Sequence, residues 1–183
     1  KNLGKKEALR KVMPIVNSET ILDRITNQYF LVTKTIFSNT RAEIDTPKSN
    51  TWTDLFTGKK ITVSGIIRTD VGVNIKNLNT QNIVLDNQNK TVTVNLPNAE
   101  ILDSSLSGEI NVDVDRSIVE KLKNLLNNTQ NEDYNLALQT LINTAKNQVV
   151  ADQNIFANAK SDSVKLVGII VKNMLPDYNV VIK

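Results

Sequence analysis

The sequence predicts an α+β domain: a mainly antiparallel twisted sheet packed against long C-terminal helices and closed by a short C-terminal strand. Three observations carry this. Between about Asn27 and Asp115 apolar side chains recur largely every two residues, and from Arg116 to Met174 every three or four. Alternation then returns over Tyr178, Val180 and Ile182. Period two marks a pleated strand with one buried face, and period 3.6 marks an amphipathic helix. Strands first and helices later gives segregated layers, not βαβ units. The 183 residues suffice for one substantial domain. We place it at residues 18–183 (strands over 27–115, helices over 116–174, final strand 178–183), behind an approach segment over 1–17.

The elements follow in order. Leu9, Val12 and Met13 hint at a helix that Pro14 interrupts. Ser18-Glu19-Thr20 either caps a short helix carrying Ile21, Leu22 and Ile25 or leads straight into a strand. From Asn27 to Ser38 both parities are apolar (Tyr29, Phe30, Leu31, Val32, Ile36, Phe37), the pattern of a strand covered on two sides. Arg41 to Asn50, with Pro47, reads as a loop. Trp52, Leu55 and Phe56 fall at i, i+3 and i+4 after Asn50-Thr51 and before Gly58, which makes one capped helical turn. It is a plug over the sheet edge or, on the sharper reading, an exposed aromatic anchor built on Trp52 and Phe56.

Ile61, Val63, Ile67, Val71, Val73 and Ile75 occupy odd positions. Thr62, Ser64, Arg68, Asp70 and Asn74 occupy even ones, with Ile66 the exception. Fully extended, this segment would span about 50 Å, longer than usual strands, so a bend or bulge is expected at Gly65 or Gly72. Ile83 and Leu85 face Val92 and Val94 across an Asp86–Asn89 turn, an antiparallel hairpin whose second strand stops at Leu96-Pro97. Gly108 opens a strand over Glu109–Asp115 with Ile110, Val112 and Val114 inward. Its other face carries Glu109, Asn111, Asp113 and Asp115. Alternate strand residues stand about 6–7 Å apart in line, so these read as a solvated face and not as a calcium loop. Helical stripes follow at Ile118–Leu126, Tyr134–Val149 and Phe156–Met174. The last two would make one helix of about 60 Å or two. We favour a break near Asp152–Asn154 with Asn154 as cap, and Leu175-Pro176 ends the second helix.

Composition narrows the chemistry. There is no Cys and no His, which removes disulfides, thiolate nucleophiles, the usual transition-metal ligands and the commonest general base. No phosphate-cradling Gly-rich loop is present. We therefore assign no catalytic residue, no cofactor and no metal site. Lys and Arg number 22 against 19 Asp and Glu, a formal charge of +3, and aromatics are 4%. A nucleic-acid groove needs a basic stripe with stacking aromatics, so no nucleic-acid partner is expected. No apolar run reaches the length of a membrane span. The chain starts at Lys1 without Met, and we expect that an upstream piece has been removed.

Gly65–Ile75 (GIIRTDVGVNI) and Thr91–Leu102 (TVTVNLPNAEIL), with the Ala-spaced helical region and the closing strand Asn179–Lys183, resemble the bacterial family called domain of unknown function 4230. The likeness runs from about Ile25 onward. Its members often carry one N-terminal transmembrane helix and hold this domain outside the cytoplasm. The resemblance thus implies a cell-surface domain whose missing N-terminal segment is its membrane anchor, with the basic Lys1–Lys11 stretch beside the membrane.

The expected function is non-catalytic: binding an unknown protein partner or self-association. Trp52, Phe56, Arg68 and Asp70 are the candidate binding residues. A small-ligand or lipid carrier is the first alternative. A carboxylate-dependent hydrolase drawing on Asp70, Asp86, Asp113 or Asp115 is the second.

Overall fold

A computed structural model describes residues 16–27, 31–44, 61–113 and 132–183. The Trp52–Phe56 turn, Asp115 and the Ile118–Leu126 stripe lie outside these. The elements run α1 (Ser18–Thr26), β1 (Leu31–Ile44), β2 (Ile61–Val73), two 3₁₀ turns (Ile75–Asn77 and Thr80–Asn82), β3 (Ile83–Asp86) and β4 (Thr91–Val94). They continue with β5 (Ala99–Leu106), β6 (Asn111–Asp113), α2 (Glu132–Ala151), α3 (Gln153–Met174) and β7 (Asn179–Ile182). The class is α+β.

The strands divide into two sheets. One is antiparallel: β1 and β5 flank β2, and β6 joins β2 beyond the end of β5. The other is β3-β4-β7, with β3–β4 antiparallel and β4–β7 parallel. The hairpin register is the expected one, Ile83 opposite Val94 and Leu85 opposite Val92. β5 was not anticipated, because its sequence AEILDSSL shows no clean alternation. β1 runs on through Ile44, into residues read as loop. Its far half alternates Arg41 and Glu43, exposed, with Ala42 and Ile44, buried. β2 runs unbroken through Gly65, and the expected irregularity falls beside Gly72. The irregularities fall on its neighbours, where Thr33 and Leu102 are the extra residues in β1 and β5 opposite the Asp70–Gly72 stretch. Gly65 serves close approach instead: a Cβ there would meet Leu106 Cδ1 at 3.2 Å and Leu141 Cδ1 at 3.4 Å.

Helix α1 is capped one residue earlier than expected. Asn17 Oδ1 accepts from Thr20 N at 2.8 Å, which leaves Ile21 and Ile25 to fill the core. The long helical stretch does break, and its cap is Asp152: Asp152 Oδ1 accepts from Asn154 N at 3.0 Å. α2 buries Ala137, Leu141 and Ala145 against Val63 and Ile67 of the four-stranded sheet and against Ile110, just before β6. The second half of α3, with Val167 and Val171, packs with α1 on Val92 and Val94 of the three-stranded sheet. Between these cores Val149 and Ala159, on either side of the break, close over Val71. All the described helical packing on the four-stranded sheet thus falls on one of its faces.

Candidate functional site: the open face of the four-stranded sheet

Pairing in the four-stranded sheet puts the even residues of β2 and the odd residues of β1 from Thr35 onward on the face away from α2. Across that face Thr35, Asp70 and Asp103 form one row, and Phe37, Arg68 and Ser105 the next. Asn39 and Ile66 follow, then Arg41, Ser64 and Asn111, then Glu43, Thr62 and Asp113. Directly opposite residues in an antiparallel pair lie close enough to interact, so each row is a physical cluster.

Near one end, Arg68 grips Asp70 in a fork. Nε donates to Oδ1 at 3.1 Å and Nη2 to Oδ2 at 2.8 Å. The two residues are i and i+2 on one strand, so the pleat aims both side chains the same way. Thr35 Oγ1 donates to Asp70 Oδ1 at 2.7 Å. Asp70 is 7% exposed, whereas the Arg68 side chain is 48% exposed. Asp70 thus anchors the guanidinium through both of its carboxylate oxygens.

Toward the other end, Arg41 reaches across β2. Its Nη2 donates to Asp113 Oδ2 at 2.8 Å. Asn39, Arg41, Ser64, Asn111, Val112 and Asp113 line an open depression of about 490 Å³. Its lining is mostly amide, hydroxyl and charged groups, which suits polar contacts and not an alkyl chain. Between the two Arg–Asp pairs lie Phe37, 62% exposed, and Ile66, 47% exposed. The two side chains make an apolar spot flanked by arginines and ringed by polar groups.

The expected residues are thus partly united. Arg68 and Asp70 belong to this face, whereas Trp52 and Phe56 lie outside the described residues. β1 is not covered on two sides: Thr35, Phe37, Asn39 and Arg41 are all exposed. Phe37 escaped notice because both parities of its segment are apolar. Ile66 had a legible signal, being the single apolar residue on the polar parity of β2. Asp113 carries an ion pair, in keeping with a solvated face. At the distant hairpin, Asp86 accepts from Asn89 N, Asn89 Nδ2 and Gln88 N, bonds that hold its carboxyl below the ordinary range. That is turn chemistry.

Among the described residues no cluster of three or more His, Cys, Asp or Glu side chains is placed to hold a metal ion, and no helix is long and apolar enough to cross a membrane. No curated protein and no solved structure matches the chain. The family described as Protein of unknown function (DUF4230) matches residues 23–182, and the chain belongs to that family.

Proposed function

We propose that this is a non-catalytic binding and assembly domain, held at the extracytoplasmic side of the membrane by a segment upstream of Lys1, and that its working surface is the open face of the four-stranded sheet. The observation that carries the reading is Phe37 and Ile66 displayed between two Arg–Asp pairs, on a sheet whose other face is committed to the core. Fully burying one such side chain is worth about 1.5–3 kcal/mol, so two of them supply a usable hot spot. The pairing of Asp70 with Arg68 and of Asp113 with Arg41 weighs against a hydrolase dyad, whose acids must be free to trade protons. The polar lining of the depression weighs against a lipid carrier.

The test uses the full-length protein in its own cells. Membrane fractionation followed by protease treatment of intact cells should find the domain in the membrane fraction and cleavable from outside. A benzoyl-phenylalanine photoprobe at Phe37 should give a discrete protein adduct, and the same probe at exposed Val84, on the other sheet, should not. A soluble cytoplasmic protein, or equal labelling at both positions, overturns the reading.

A further inference from the structure

The depression beside the Arg41–Asp113 pair has a composition that selects one class of small ligand. Its floor is Ser64, a short side chain set between the longer Arg41 and Asn111 in one cross-strand row. Its volume of about 490 Å³ is that of an ordinary small-molecule pocket. Among the described residues the side chains of Asn39, Ser64 and Asn111 have no hydrogen-bond partner. The Arg41–Asp113 contact engages one nitrogen and one oxygen, and the two side chains remain 67% and 72% exposed. The amides and the hydroxyl both donate and accept, whereas the guanidinium only donates and the carboxylate only accepts.

We infer that this depression binds a neutral saccharide, with hydroxyls in the dip over Ser64 and the sugar ring against Phe37 and Ile66. The formal charges of Arg41 and Asp113 cancel, so the lining calls for neither a phosphate nor a cation. Intermixed donors and acceptors suit hydroxyl groups, each of which does both. Neighbouring hydroxyls of a sugar match the two-pronged edge of an amide, a carboxylate or a guanidinium. The apolar side of the ring is met as well. Phe37 follows Asn39 on the same face of β1, and Ile66 follows Ser64 on β2, each about 6–7 Å along its strand. These two give the C–H face of a sugar an apolar shelf next to the polar dip. An alkyl chain seated there would leave both amides unpaired, and an anion would meet Asp113. Saccharide binding is additional to the protein recognition proposed above and shares with it only the open face.

Amide NMR of the chain, titrated with maltose, cellobiose and N,N′-diacetylchitobiose, tests this. At least one of the three should move the Asn39, Ser64 and Asn111 signals saturably, with a Kd on the order of 1 mM, since an open polar site gives up bound water to bind. The signal of Val84, on the other sheet, should stay in place. Ser64→Leu fills the dip and should abolish the shifts. Asn111→Ala removes one hydrogen-bonding group from an exposed site and should weaken binding by about three- to tenfold at an unchanged unfolding midpoint. No saturable shift with any of the three sugars, up to the solubility limit of each, overturns the assignment. So do shifts that survive Ser64→Leu, or that appear equally at Val84. Were no sugar to bind while the Phe37 photoprobe captured a protein in cells, the saccharide site would fall and the protein-binding reading would stand.

Discussion

Ile66 and Ile67 are neighbours in β2 and have opposite fates. Ile67 is fully buried beneath α2, whereas Ile66 is 47% exposed on the far side of the sheet. The same contrast runs along the whole strand: Val63, Gly65, Ile67 and Val71 form a floor for the helices, and Ser64, Ile66, Arg68 and Asp70 form a surface. One face is bound by packing, where a methylene more or less is felt. The other carries two Arg–Asp pairs around an apolar spot, and of these groups only the Arg68–Asp70 fork is partly buried. Packing and exposure are thereby separated by a single step along the chain.

The largest effect should come from breaking the packed face. Leu141, fully buried opposite Gly65, should cost about 2–5 kcal/mol as Leu141→Ala, read as a lowered urea midpoint with unchanged slope. Removing the fork is next. Arg68→Ala leaves the buried Asp70 carboxylate with Thr35 as its partner among the described residues and should cost about 1–2 kcal/mol, moderated because the guanidinium is half in solvent. Asp70→Asn with Arg68→Met should recover part of that loss, since both charges then go together. Phe37→Ser, on the open face, should change stability by no more than about 0.5 kcal/mol while abolishing the Phe37-dependent association.

The smallest effect sharpens the contrast through pH. Hydrogen bonds from Lys34 and Lys165 hold the Asp162 carboxyl below its ordinary value of 3.8. Its folded pKa lies below its unfolded one, so the contribution is present above pH 3.8 and is lost as pH falls through the folded value. Asp162→Asn should flatten the acid limb of a stability-against-pH curve and leave the neutral region nearly unchanged.

Much of the fold was legible in the sequence, and for physical reasons. The β2 alternation, the hairpin and the helical stripes each repeat with the period of the element they form, and the break near Asp152 shows where two stripes part. Partition into two sheets was not legible, because the parallel β4–β7 pairing joins residues about ninety positions apart and leaves no local mark. β5 hid in a serine-rich segment whose pairing is imposed by β2. Lys160 could not be foreseen either: its Nζ donates to Leu96 O at 2.6 Å and Pro97 O at 2.8 Å, pinning α3 to the end of the hairpin, a role visible only in three dimensions. Burial lowers the pKa of that ammonium. Of the site, Arg68 and Asp70 were readable from their spacing. Thr35 and Phe37 were not, because a strand that is apolar at both parities conceals which side is bare, and Asn39 and Arg41 lie past that segment, Arg41 in residues that read as loop.

The most direct trial of the division is the Phe37 photoprobe combined with Ile66→Lys in the full-length protein. A working open face predicts a strong adduct in the Ile66 chain and its loss in the Ile66→Lys chain, at equal protein abundance and an equal unfolding midpoint. An adduct that survives Ile66→Lys undiminished would contradict it, and so would the absence of any adduct at Phe37 in the Ile66 chain.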